Sequence, residues 1–218
     1  MAVGAELADY LAGLFAPRLC WSCSGLSRRG DPLCGGCRAS LHRLAPEPVL
    51  LCGIRVWAPV AYSGAARDLV RALKFRGAIA LADAMAAQIV ANAPPGRLGP
   101  ASAGCTLVPV PLHPRRLRSR GYNQAAAIAD AIGDRAGLPV LRCLSRSGPS
   151  ITQVGRDRAD RRAGPAGSID VTGEVPGRVL LVDDVVTTGA TLGACRDALL
   201  ARGARDVAAI AFARTIGR

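Results

Sequence analysis

Thirteen residues, Val179-Leu180-Leu181-Val182-Asp183-Asp184-Val185-Val186-Thr187-Thr188-Gly189-Ala190-Thr191, constrain this chain more than any other stretch. Four aliphatic residues in a row predict a strand buried on both faces, the mark of a parallel sheet covered by helices. Two adjacent carboxylates stand at the end of that strand. A Thr-Thr-Gly-Ala-Thr turn follows, and then an apolar helical pattern at Leu192, Cys195, Leu199 and Leu200. Strand, small-residue turn and helix together present backbone N–H groups and a helix N-terminus to a phosphate. Gly189 lets the backbone approach an anion closely. The threonine hydroxyls add donors without bulk. Paired carboxylates beside such a cradle are costly unless a partner needs them; a ribose diol or a magnesium ion is such a partner. The stretch therefore predicts a ribose-5-phosphate site. An ordinary turn with a capping Thr leaves the acidic pair unexplained.

A chain of 218 residues accommodates one α/β domain and a small appendage. Half of its residues are hydrophobic, enough for a large core, and only 4% are aromatic, so Leu, Val, Ile and Ala must build that core. The net charge of +12 points to polyanionic partners: nucleotides, pyrophosphate, nucleic acid or an anionic surface. Lys74 is the sole lysine, so nearly all the positive charge is Arg. An arginine-rich composition accounts for part of that, but Arg also suits bidentate phosphate contacts. No apolar run reaches the roughly 20 residues that span a bilayer. Glu6 and Asp9 precede any basic residue, unlike a secretory leader. These features predict a soluble, cytoplasmic protein, in which cysteines serve as metal ligands and core residues rather than disulfides.

The N-terminal region divides in two. Residues 1–16 carry Leu7, Tyr10, Leu11, Leu14 and Phe15 on one helical face and predict a short amphipathic helix over 5–16. Residues 17–45 hold Cys20-Trp-Ser-Cys23 and Cys34-Gly-Gly-Cys37. Two such knuckles supply four thiolates for a structural Zn²⁺ at a closed site, rather than two disulfides or a redox pair. His42 reads as a surface residue.

Residues 46–218 form the main domain, entered through the stiff Ala45-Pro46-Glu47-Pro48 linker. Residues 54–61 predict a strand that Pro59 demotes towards an edge. Helices are expected through Leu69, Val70 and Leu73, and over about 79–92. Thr106–Pro111 predicts a short strand, after which Arg115, Arg116, Arg118 and Arg120 crowd together before an alanine-rich helix. Arg side chains beyond the end of a parallel strand lie where α/β sheets bind ligands. Another strand is expected over Leu138–Leu144. Residues 145–168, with Thr152, Gln153, Arg156, Arg158, Arg161 and Arg162, predict a polar lid. A helix over 190–202 and a strand over 207–213 close the domain.

Several of these segments together resemble the ComF family of competence-associated, phosphoribosyltransferase-like proteins. The residues that carry the resemblance are the four N-terminal cysteines, Leu73-Lys74-Phe75-Arg76-Gly77, Val108-Pro-Val-Pro-Leu-His113 and Arg118-x-Arg-Gly-Tyr-Asn-Gln124. Thr152-Gln153, Arg158-Ala-x-Arg-Arg162 and the opening stretch complete the set. At Cys52-Gly53 the chain departs from relatives that carry a further cysteine pair there. The resemblance implies an α/β, type I phosphoribosyltransferase-like parallel-sheet core with a small N-terminal zinc-binding segment of four cysteines, and a role in DNA uptake. It implies phosphoribosyl pyrophosphate (PRPP) or a nucleotide as ligand, with Mg²⁺. Val185, Thr187, Thr188, Gly189, Ala190 and Thr191 would hold the 5′-phosphate and ribose together with Asp183 and Asp184. Pro111, Leu112, His113, Arg115, Arg116 and Lys74 would hold the pyrophosphate. Asp183, Asp184 and Arg158 would be catalytic in pentosyl transfer. Alternatively, the chain is a non-catalytic module that grips single-stranded DNA or docks on an uptake helicase.

Overall fold

A computed structural model describes residues 19–28, 30–98, 104–147 and 169–217. The helix expected over 5–16 lies outside them, as do Thr152, Gln153, Arg156, Arg158, Arg161 and Arg162 of the expected lid. Among the described residues the elements run α1 (Gly35–Ala39), β1 (Val49–Leu51), β2 (Ile54–Trp57), β3 (Val60–Ala61), α2 (Gly64–Phe75), α3 (Leu81–Asn92) and β4 (Cys105–Pro109). They continue with α4 (Pro114–Arg120), α5 (Gln124–Ala136), β5 (Leu144–Arg146), β6 (Ile169–Val171), β7 (Arg178–Val186), α6 (Ala190–Ala201) and β8 (Asp206–Arg214).

The main sheet has the order β1-β2-β8-β7-β4, with β3 also on β8. Its pairings are parallel except for the β1–β2 hairpin. Alternation along β7 explains why the sheet is covered twice. Leu180 and Val182 join Leu73 of α2, Ile89 of α3 and Ile128 and Ile132 of α5 on one face. Val179 and Leu181 join Leu192, Cys195 and Leu199 of α6 on the other. Each of these four β7 side chains is buried, which contributes about 1.5–3 kcal/mol apiece. The class is therefore α/β with a mostly parallel sheet, as the resemblance implies.

The structure corrects several sequence expectations. The stretch 54–61 is not an edge strand. It breaks at Ala58-Pro59 into β2 and β3, both paired with β8, and β1 covers the outer side of β2. Pro59 is tolerated because it sits at the break, where no ladder N–H is needed. The strand β1 follows directly on the Pro-rich linker and turns through Cys52 (φ 46°) and Gly53 (φ 74°), the positive pair that a tight hairpin demands. Residues 138–144 do not form one strand. Val140 makes a single parallel bridge to Leu107 of the main sheet, and β5 pairs antiparallel with β6 in a separate two-stranded sheet. Pro139, which lacks an N–H, limits the pairing on the N-terminal side of that bridge, where only its carbonyl accepts, from Leu107 N at 2.8 Å. Residues 145 and 146 thus belong to a strand rather than to a lid. Pro114–Arg120, for which no element is expected, forms a helix.

The acidic pair also sits differently. β7 continues through Asp183 and Asp184 to Val186, paired all the way with β8. Its other neighbour, β4, stops at the Pro109–Val182 pair. The two carboxylates therefore stand just past the end of β4, in a crevice at the carboxyl ends of the strands, the usual ligand position in open α/β sheets. No helix among the described residues is long and apolar enough to cross a membrane.

Candidate functional site

The crevice is built on β7. Asp184 is 2% exposed, and Lys74 Nζ, from the last turn of α2, lies 2.6 Å from its Oδ2. That oxygen accepts no aligned hydrogen bond, so the contact is a short ion pair across the crevice. Asp183 keeps part of its surface open and accepts a hydrogen bond from the Asp184 backbone N–H at 2.8 Å. Burial first, and then the negative charge and side-chain hydrogen bond of Asp184, push the Asp183 carboxyl well above the usual carboxylate range, against the pull of Lys74. Two carboxylates this close resist double ionisation until a cation or hydrogen-bond donors arrive.

The turn that follows is held from behind. Thr215 donates its backbone N–H to Val186 O at 2.9 Å, and Cys52 Sγ donates to Thr188 O at 3.3 Å. Gly189 has φ 81°, and a Cβ there would meet Leu51 Cβ at 2.7 Å. Gly193, one turn into α6, lies so close to the hairpin that a Cβ would meet Cys52 Cβ at 3.0 Å. The β1–β2 hairpin thus braces the loop and the start of α6. Thr187 and Thr188 are exposed beside that helix N-terminus, where backbone N–H groups favour an anion.

A basic wall completes the crevice. Lys74, Arg115, Arg116, Arg120 and the exposed Phe75 line an open cavity of about 680 Å³. The wall is fixed by the residues that follow it. Tyr122 donates its hydroxyl to Leu73 O, and Asn123 donates to Val110 O at 3.0 Å while accepting from Ala125 N at 3.0 Å. Arg120 donates to the Gln124 side chain and lies over the Phe75 ring at 5.4 Å. Burial lowers the Arg120 pKa while the charge of Asp184 raises it, so guanidinium and carboxylate sense each other across the cavity. His113 caps α4, its Nδ1 accepting from Arg115 N at 3.2 Å.

The metal-ligand candidates form a separate cluster. The Sγ atoms of Cys20, Cys23, Cys34 and Cys37 all lie within 4.8 Å of one another. Cys23 Sγ receives the Gly25 N–H at 3.4 Å and Cys34 Sγ the Cys37 N–H at 3.5 Å. Such N–H···S contacts suit thiolates. Burial raises the Cys20 thiol, but backbone N–H groups of Cys23, Cys34 and Ser22 outweigh it and bring it to about 6. Cys37 is pushed up to about 12, chiefly by its side-chain hydrogen bond with Cys23 and by burial. Four soft donors within one coordination radius can hold a metal ion. Cys20, Leu33 and Leu41 of this segment pack into the main core, and His42 is exposed.

Of the residues expected at the site, Lys74, Arg115 and Arg116 line one cavity, Lys74 pairs with Asp184, and the 187–191 turn follows Asp183 and Asp184 along the chain. Pro111 and Leu112 lie between β4 and α4 at its rim. Arg158 lies outside the described residues. Sequence reasoning missed α4 itself and the bracing role of Cys52. The signals for α4 are present: Pro114 at its first position and Gly121 just past its end, the usual helix boundaries. The role of Cys52 has no local signal, since its partner Thr188 is 136 residues away.

No protein-family model matches the chain. It is 27% identical over 203 residues to the competence protein ComFC of Streptococcus pneumoniae, covering 90% of this chain and 87% of that protein. It is 34% identical over 113 residues to competence protein F of Haemophilus influenzae, covering 50% of this chain and 49% of that protein. With ComFC of Bacillus subtilis it shares 22% identity over 215 residues, covering 87% and 86%. Among solved structures, a hypoxanthine phosphoribosyltransferase of Trypanosoma cruzi in a ternary substrates complex aligns with a TM-score of 0.35 and 18% identity, over 62% of this chain and 66% of that one. An HPRT with asparagine at an invariant aspartic acid aligns at 0.34 and 18%, over 62% and 65%. These overlaps take in less than two thirds of either chain, and the fold description rests on strand order and register.

Proposed function

We propose that this chain, a relative of the ComF-type competence proteins, binds PRPP or a related ribose-5-phosphate ligand and acts in competence-associated DNA handling. The observation that carries this reading is the Asp183–Asp184 pair, with Lys74 at 2.6 Å, directly before a braced glycine turn at the start of α6. The turn from Thr187 to Thr191 holds the 5′-phosphate through backbone N–H groups and hydroxyls. The acidic pair accepts the two ribose hydroxyls. Lys74, Arg115 and Arg116, with the Pro111–His113 rim, receive the pyrophosphate. Adjacent carboxylates beside a basic cavity suit a hydrated Mg²⁺, which Asp183 and Asp184 would hold largely through water and substrate oxygens, and which supplies charge neutralisation. The closed set of Cys20, Cys23, Cys34 and Cys37 suits a structural Zn²⁺.

In a pentosyl transfer, positive charge grows at the ribose C1′ while negative charge grows on the departing pyrophosphate. Asp183 and Asp184 orient the ribose and lie on the side where positive charge is favoured; the basic wall faces the leaving group. Arg158, which the resemblance makes catalytic, is assigned to the charge on the leaving pyrophosphate. Positioning and preorganised charge carry most of any rate gain at such a site. Calorimetry with PRPP and Mg²⁺ tests the binding step. Saturable heat with wild type, lost in Asp183→Asn/Asp184→Asn, is expected; equal affinity in the variant sinks the reading. Pyrophosphate release with a panel of nucleobases and amines then separates transfer from binding alone.

A second reading is favoured by α4, whose Arg115, Arg116, Arg118 and Arg120 occur in seven residues beside the exposed Phe75. The helix would grip the phosphates of single-stranded DNA. Such binding falls steeply with salt, and gel-shift titration at two salt concentrations reads it. An uptake helicase is the protein partner this reading assigns.

A further inference from the structure

We propose that the opposite end of the sheet holds a second anion site, in which the cavity lined by Arg55, Arg97 and Arg178 binds a small phosphoryl anion. Strand register builds it. Arg178 opens β7 opposite Asp206, which opens β8, and Arg55 of β2 pairs with Ala208 two residues further along. Because alternate residues share a face, Arg55, Arg178 and Asp206 lie on the same face as Leu180 and Ala208, which pack in the core beneath them. The turn after α3 closes the other side, with Arg97 N donating to Pro94 O at 3.1 Å. The half-open cavity measures about 260 Å³. That is room for a phosphate group with water, or for a phosphomonoester, and not for a folded partner.

The charge on this cavity is one-sided. Three arginines and a single acidic residue line it, and that acid, Asp206, is already engaged by Arg55 at 3.0 Å. Burial lowers the Arg97 pKa and the positive charge of Arg55 lowers it further, with Asp206 opposing. A cation drawn from water and set beside another cation is relieved by an anion between them. Guanidinium forks match phosphate oxygens in shape and donor spacing. The site stands at the amino ends of β7 and β8, away from the acidic pair and the 187–191 turn, so it does not rest on the reading of that crevice.

The test is an amide-shift titration of the ¹⁵N-labelled full chain with inorganic phosphate, at constant ionic strength held with chloride, and a parallel arm with a nucleoside monophosphate. Saturable shifts are expected at Gly96, Arg97 and Arg178, separate from those at Gly189 and Thr191. Arg97→Gln and Arg178→Gln are each expected to weaken the first set at least about tenfold, since one charged hydrogen bond is worth that much, while leaving the second set unchanged. Tighter binding in one arm identifies whether the free ion or the nucleotide is the source. Two variants on different elements guard against one failing to fold. Absence of saturation at Gly96 and Arg97 in both arms, or wild-type affinity in both variants, overturns the proposal.

Discussion

The cysteine segment and the β7–α6 crevice hold their polar groups by opposite means. Cys20, Cys23, Cys34 and Cys37 come from 18 consecutive positions, and local N–H···S contacts and short turns bring their sulfurs together. The candidate site draws Lys74 from α2, paired with Asp184 of β7, Arg115 and Arg116 from α4 beside Lys74, and a brace from the β1–β2 hairpin. The first cluster offers four sulfurs that can close on one ion. The second already contains both signs of charge, joined at the Lys74–Asp184 pair. A local cluster is set by short turns and spacing, whereas a cluster assembled by the fold is sensitive to the packing behind it.

The largest effect expected from this contrast follows Cys34→Ser. Structural zinc contributes on the order of 10 kcal/mol to the folding of isolated zinc-finger peptides. The variant should lose its bound metal by elemental analysis and lose dispersed amide signals over residues 19–41, while β7 and β8 stay folded. Because Cys20, Leu33 and Leu41 cover the main core, the whole chain should also melt several degrees lower. Full metal stoichiometry with an unchanged melting temperature breaks the comparison.

Lys74→Met comes next. It leaves the Asp184 carboxylate, 3% exposed, without its cation, which costs about 3–5 kcal/mol when one partner of a buried pair is removed. Adding Asp184→Asn should recover most of that loss in urea denaturation. Equal, additive losses in the two single variants would instead mean that the pair is not coupled. The same substitutions in the cysteine segment's Arg38–Asp31 pair, which is 42% and 32% exposed, should cost under about 1 kcal/mol.

Gly189→Ala places a side chain at φ 81° and 2.7 Å from Leu51 Cβ. Strain of about 1–2 kcal/mol is expected from the backbone alone. The companion Leu51→Gly, which removes that Cβ, should relieve the contact but not the dihedral. A variant as stable as wild type would show that the hairpin does not brace the turn.

The smallest effect is on pH dependence. Asp183 prefers its protonated form in the fold, because burial and Asp184 raise its pKa. The stabilisation is fully present below the ordinary carboxylate range and is lost as pH rises through the raised value. Asp183→Asn removes that loss. Its melting temperature should match wild type in acid and exceed it increasingly towards neutral pH. A constant difference across that range would show that Asp183 ionises without penalty.

What could be read along the chain was whatever is local or periodic. The aliphatic run of β7, the apolar rows of α2, α3, α5 and α6 and the cysteine spacing each carry their own signal. The misreadings came where a partner far along the chain decides the outcome. Pro59 suggests an edge strand until β1 is seen to pair outside β2. Pro139 interrupts what composition reads as a strand. Arg115 to Arg120 look like a basic loop unless Pro114 and Gly121 are weighed as helix boundaries. Phe75 has no meaning alone and gains one when Arg120 lies over it.

Residue order alone was enough to read Val179–Thr191 as strand, acidic pair and small-residue turn, and to set four thiols within reach of one ion. These follow from backbone preferences and spacing within a few residues. It took the folded chain to show that β4 ends one pair short of Asp183, that Lys74 closes on Asp184, and that Cys52 and Leu51 press against the turn. Those contacts join positions more than 100 residues apart, and their geometry is set by sheet register and helix packing, which no local pattern encodes.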